Sequence, residues 1–163
     1  MKRRALVAAL LAAGVGVLFL ARRLQAVEQP IAYNHKKHIA AGLECAACHE
    51  GIGERRAHAQ LPRTEVCMTC HGAEDNPKTK AIRDFAAQNR EIPWQRVYRV
   101  PAHVYFSHDR HVGIAKLDCA VCHGDMAEKS TPVTSQAVTI KMDRCITCHR
   151  ARGVTSDCIA CHR

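Results

Sequence analysis

The sequence predicts a mainly α chain with extensive irregular loops, its interior filled by bound groups rather than by side chains. Three observations carry that prediction. Aromatic residues make up only 4% of the 163-residue chain, too few for a conventional core. All ten cysteines fall into five copies of one short string, with none left over. Two stretches of the chain also repeat one another, histidine for histidine and cysteine for cysteine.

The short string is C-x-x-C-H, found at Cys45/Cys48/His49, Cys67/Cys70/His71, Cys119/Cys122/His123, Cys145/Cys148/His149 and Cys158/Cys161/His162. It is the attachment signature for c-type haem: each thiol can form a thioether to a porphyrin vinyl group, and the adjacent imidazole reaches the iron. A redox dithiol or half a zinc ribbon also uses C-x-x-C, but neither explains a histidine after the second cysteine every time. Histidine is 11 of 163 residues, so five such coincidences have a probability of about one in a million. The five strings are read as five covalently attached haem c groups. With roughly 28 residues per haem, the cofactors supply much of the buried apolar surface. The haem-free chain should not fold, because too little apolar side chain remains to offset the ordering entropy.

Residues 1–26 are read as an N-terminal signal anchor. Lys2, Arg3 and Arg4 precede the apolar run Ala5–Ala21, and Arg22 and Arg23 close it. This length lies between a short spanning helix and a long signal-peptide core. Leu24-Gln25-Ala26 is a poor cleavage site, which favours an uncleaved single transmembrane helix. The leading positive charges place the N-terminus in the cytoplasm and the rest outside it. The expected location is the inner (cytoplasmic) membrane, with the haem-bearing part facing the periplasm or the outside.

Residues 27–78 form the first unit, with two haems, and residues 103–163 the second, with three. AYNHKKHIAAGLECAACHEG aligns with YFSHDRHVGIAKLDCAVCHGD, with one extra residue in the second link. TEVCMTCHGA then aligns with MDRCITCHRA, and the second unit alone adds SDCIACHR. The segment 79–102 links them. KAIRDFAAQNR within it has apolar residues at helical spacing and reads as an amphipathic helix ended before Pro93. The stretch from Ile92 to Pro101 is read as extended, with Trp94 packing on haem and Arg96 and Arg99 facing propionates.

Six histidines lie outside the C-x-x-C-H strings: His35, His38, His58, His103, His108 and His111. The pairs His35/His38 and His108/His111 share the spacing H-x-x-H, which on a helical turn puts both imidazoles on one face. Each pair is assigned as distal ligands to two adjacent haems of its own unit. The fifth haem has three candidate ligands, or an open position. Met142, three residues before Cys145, is favoured because the matching position in the first unit is Thr64 and that unit lacks a third haem. His103 and His58 are the alternatives. A methionine ligand raises haem potential relative to bis-histidine, so four low-potential haems and one of higher potential are expected. Met68 and Met126 are read as packing residues.

The formal charge of +9 misleads. Five basic residues belong to the anchor, leaving nineteen against 15 acidic ones. Five haems bring roughly ten propionate charges, so the basic side chains read as their partners. No basic patch interleaved with aromatics is present to stack bases, which excludes nucleic acid as a partner.

The motif F/Y-x-H-x-x-H followed by several C-x-x-C-H resembles the small class III cytochromes of the c3 and c7 type. LPRTEVCMTCH and IPWQRVYRVPAHVYFSHDRHVG, with the methionine before the fourth string, are similar to the pentahaem subunit of alternative complex III and to the multihaem subunit of menaquinone reductase complexes. The resemblance implies a haem-cored multihaem cytochrome c of two c7-like units on one membrane anchor. It implies electron transfer between a membrane quinol-oxidising or other redox complex and a periplasmic acceptor. The implied partners are membrane-integral complex subunits and electron donor and acceptor proteins. Candidate ligands equal or exceed the haems, which favours a carrier over a catalyst. A multihaem reductase with an open-site haem and a haem-filament subunit are the alternatives.

Overall fold

The computed structural model describes residues 26–54, 59–73 and 76–162. The expected anchor Ala5–Ala21 and the candidate ligand His58 lie outside the described residues. Among the described residues, no helix is long and apolar enough to cross a membrane. The chain is a string of short helices joined by irregular loops: α1 (His35–Ala40), α2 (Cys45–Cys48), α3 (Thr64–His71), α4 (Lys80–Ala87), a π-helical turn (Asp109–Ile114), α5 (Ala120–His123), α6 (Met142–Ala151) and α7 (Cys158–Cys161). Among the described residues, extended pairing is limited to one antiparallel bridge, Val104 with His162.

The side-chain core is almost absent. Among the described residues only Ile82, Ile92 and Thr64 are buried, where an ordinary domain of this length buries dozens of apolar side chains. Among the described residues, the one substantial helix packing is α3 against α4. It is locked at Thr64, whose hydroxyl donates to the Arg90 carbonyl at 3.0 Å and accepts from the Ile92 N–H at 2.9 Å. Glu91 adds a carboxylate that accepts from the Thr64 N–H at 2.7 Å. The expected amphipathic helix is present as α4. It ends at Ala87, and Asn89 then turns left-handed at φ 50°. The segment from Ile92 to Val100 is free of helix and strand; Trp94 donates its indole N–H to the Pro62 carbonyl at 2.9 Å.

The two units repeat in detail, and the extra residue of the second has a structural consequence. In the first unit Asn34 caps α1, its side chain accepting from the Lys37 N–H at 3.0 Å, as N-cap residues do. The helix closes with Gly42 at φ 86°. The Gly42 N–H reaches the Ile39 carbonyl at 2.9 Å and the Leu43 N–H the His38 carbonyl at 3.2 Å, the paired bonds of a Schellman cap. In the second unit the link is one residue longer. The helix absorbs it by widening to i→i+5 bonds, Ala115 N–H to Arg110 carbonyl at 3.1 Å. A one-residue insertion into a helix is the usual origin of a π-turn. The closure is then recovered: Leu117 N–H bonds the His111 carbonyl at 3.0 Å, with Lys116 left-handed at φ 53° where the first unit has glycine. The pair His108/His111, expected on a helical turn, stands at the start of this π-turn.

Candidate functional site

Each C-x-x-C-H string is a single helical turn or the end of a longer helix, so its two thiols and its imidazole project from one turn. His49 and His162 follow α2 and α7, while His71, His123 and His149 lie within α3, α5 and α6. The remaining described histidines come up against them in pairs. The ring centroids of His38 and His71 are 6.2 Å apart, those of His108 and His123 6.4 Å, and those of His111 and His149 6.1 Å. His103 and His162 lie 5.5 Å apart with their rings within 18° of parallel. His35 and His49 are near enough to interact electrostatically, and in the aligned repeat they stand at the positions of His108 and His123.

That spacing has a simple meaning. A metal held about 2 Å from one nitrogen of each of two imidazoles, with each ring centre about 1.2 Å behind its nitrogen, separates the centroids by roughly 6.4 Å. Three pairs match this closely, and the fourth needs an opening of less than about 1 Å.

The hydrogen bonds of the imidazoles point the same way. Nδ1–H of His38 donates to the Asn34 carbonyl at 2.8 Å, and that of His111 to the Ser107 carbonyl at 2.8 Å. His49 does the same to Gln60 at 3.0 Å and His149 to Thr155 at 2.6 Å. A carbonyl can only accept, so in each ring the proton sits on Nδ1 and the Nε2 lone pair is free for a metal. Burial, aided by His49, His38 and Lys129, pushes His35 down to about 4. Burial and His49 lower His123 as well. Both are therefore neutral near pH 7, the state that binds metal.

An aromatic residue clamps each H-x-x-H pair. Tyr33 stacks on His38 at 4.5 Å and meets His35 edge-on at 4.7 Å; Phe106 stacks on His111 at 4.8 Å and meets His108 edge-on at 4.8 Å. Burial, with Cys48 and Cys67 nearby, pushes the Tyr33 hydroxyl up to about 12. The motif F/Y-x-H-x-x-H displays this aromatic, but spacing alone does not tell its task. Tyr98 was not foreseen at all. Its ring packs edge-on against His123 at 4.4 Å, and its hydroxyl donates to the His123 carbonyl at 3.3 Å while accepting from Ala137 N–H at 2.9 Å.

The structure treats the candidates for the fifth ligand differently. Met142 is the first residue of α6, in the place Thr64 takes in α3, and is 64% exposed. His103 is brought to His162 by backbone pairing: the Val104–His162 bridge and the Tyr105 N–H donating to the Cys161 carbonyl at 2.8 Å align the two segments. Arg96 donates to the Ala59 carbonyl at 3.3 Å and Arg99 to the Arg96 carbonyl at 3.2 Å.

Burial raises Cys48, Cys67, Cys119, Cys122 and Cys145, each with lesser contributions from neighbouring thiols, the opposite of the depressed value of a redox-active thiolate. Among the described residues, no group of three or more His, Cys, Asp or Glu is placed to hold a metal ion. Paired thiols on a turn, opposed imidazoles and a sparse side-chain core among the described residues together fit haem c.

Comparison with known proteins agrees. A family model described as cytochrome c7 and related cytochrome c matches residues 31–88 and again 104–163. The chain is also 30% identical over 167 aligned positions to the menaquinone reductase, multihaem cytochrome c subunit, of Nitratidesulfovibrio vulgaris, an alignment covering 83% of this chain and 77% of that one.

Proposed function

The chain belongs to the cytochrome c7 and related cytochrome c family, and on that premise we propose that it holds five haem c groups and relays electrons as the anchored subunit of a membrane quinone-linked redox complex. That it is a multihaem electron-transfer cytochrome with covalent haem follows from the family. The number five, the ligands, the anchor and the partners are our reading.

The opposed imidazoles carry it. We assign the ligand pairs as His49 with His35, His71 with His38, His123 with His108, His149 with His111 and His162 with His103. Met142 is left as a surface residue, and the expected high-potential His/Met haem is withdrawn. Haem c, when bound, supplies reversible one-electron exchange at its iron. The chain's own residues do the rest. The thioether cysteines tether each group, the Nδ1 hydrogen bonds of His38, His49, His111 and His149 fix their ring tautomers, and Tyr33 and Phe106 hold two imidazoles apiece in register. With every position filled by imidazole, no iron is left open to substrate, which suits a carrier. The apolar run Ala5–Ala21 with its flanking charges supports an anchor in the cytoplasmic membrane, with the haems on the far side. The name of the relative supports exchange with menaquinone through partner subunits.

Purification of the full-length chain from membranes in detergent tests this. Five haem mass increments on an intact N-terminus, co-purifying integral subunits and haem reduction by a menaquinol analogue are expected. Fewer increments, a chain cleaved near Ala26, or a chain isolated alone and inert to quinol would overturn the corresponding part.

A further inference from the structure

We infer that the five haem sites are strung in a single line in the order second, first, third, fourth, fifth motif, so that the chain conducts between the Cys67–His71 end and the Cys158–His162 end. This rests on the five-haem reading and goes beyond it, since neither motif count nor ligand pairing sets an order in space.

Each step is a set of contacts. The second and first sites share α1, which presents His35 to one and His38 to the other. The Cys48 thiol is near enough to Cys67 and Cys70 to interact electrostatically with both. The third and fourth sites share the turn from His108 to His111 in the same way. There Cys122 neighbours Cys148, and Arg144 of α6 donates to the Val121 carbonyl of α5 at 2.9 Å. The fourth and fifth are joined by Cys145 beside Cys161 and by the tight loop after α6, where the Val154 N–H returns to the His149 carbonyl at 3.0 Å. These thiols become thioethers in the mature protein; what persists is their proximity.

The join between the two units decides the order, and it lies between the first and third sites. The Cys45 and Cys119 thiols face each other across it closely enough to interact, as do His49 and His123. Two backbone contacts flank this join, and they are reciprocal. Lys36, ahead of the first motif, bonds the Lys129 carbonyl at 3.0 Å and pairs with Glu128 at 2.6 Å, both beyond the third motif. Gly113, ahead of the third motif, abuts Gly53, beyond the first; a Cβ there would stand 3.4 Å from the Gly53 backbone. Equivalent surfaces of two repeats thus face each other about an approximate two-fold axis, as in an isologous dimer. The first motifs of the two units meet at the centre. Their second motifs point outward, and the extra motif extends one arm. Each hop along the line oxidises one site and reduces its neighbour.

The test uses the full-length holoprotein and single variants His38→Met, His35→Met, His108→Met, His111→Met and His103→Met. A thioether in place of imidazole raises the potential of that one site, and its changed charge at a given potential shifts its neighbours. With midpoints assigned by NMR, His38→Met and His103→Met should each move one other midpoint, and the three inner variants two each. Nuclear Overhauser contacts between haems in the reduced wild-type protein read the same order without any substitution. Contacts only between the second and first, first and third, third and fourth, and fourth and fifth sites are expected. A contact from the second site to the third or fourth, or from the fifth to the third, would overturn the order. Intact mass separates the two claims: fewer than five haems refutes the count, whereas five haems in another sequence refutes the line.

Discussion

Replacing Thr64 by valine removes the hydroxyl that locks α3 to the segment after α4 while keeping nearly the same volume. Thr64 and Ile92 are each only 4% exposed, so water cannot replace what is lost. The Ile92 N–H loses its acceptor at 2.9 Å, and the Arg90 carbonyl loses its donor at 3.0 Å. A buried group left without a partner costs about 1–3 kcal/mol, the amide more than the carbonyl with its second lone pair. The sum is about 2–4 kcal/mol. At about 2–4 °C per kcal/mol for a chain of this size, the melting midpoint should fall by about 5–15 °C. The assay is thermal unfolding of the holoprotein followed at the Soret band. Thr64→Ser, which keeps the hydroxyl and loses one methyl, should cost about 1 kcal/mol. If Thr64→Val melts within about 2 °C of the wild type, or Thr64→Ser falls as far, the hydroxyl is not what joins the two helices.

His103→Ala should convert about one fifth of the ferric iron from low-spin to high-spin in electron paramagnetic resonance, since imidazole is the ligand lost. Met142→Leu should change nothing; the reverse pattern would restore methionine as the fifth ligand. Tyr33→Leu should cost about 1–3 kcal/mol in unfolding, from its contacts with His35 and His38, and should broaden the low-spin signals of the first two sites while leaving the Phe106 pair untouched. Gly42→Ala should lose about 1–2 kcal/mol from the backbone alone, because φ is 86° and an added Cβ meets nothing within 4 Å. Lys116→Gly, at φ 53°, should not destabilise unfolding by more than about 0.5 kcal/mol, since strain relief and chain entropy oppose one another.

Local chemistry was legible in the sequence, and contacts between distant segments were not. The C-x-x-C-H strings, the H-x-x-H pairs and the scarcity of aromatics are properties of neighbouring residues, and they point to haem before any fold is known. The helix from Lys80 onward was visible because its apolar residues recur at helical period. The π-turn was foreshadowed only as one extra residue; whether a helix widens or a loop lengthens depends on the closure at Leu117. His103 could not be paired with His162 from sequence, because an antiparallel contact across nearly sixty positions makes the match. Met142 was favoured on its position relative to Thr64, and position carries no information on exposure, which the fold alone gives as 64%. Tyr98 and Thr64 act through hydroxyls whose partners lie well away along the chain, and such partners leave no periodic trace.

The most direct test of the account is electron paramagnetic resonance of the fully oxidised, full-length protein, integrated against its total iron. Bis-imidazole ligation at every site predicts five low-spin ferric centres per chain with no high-spin component. A high-spin fraction in the intact protein, or fewer than five spins where five irons are present and uncoupled, would contradict it.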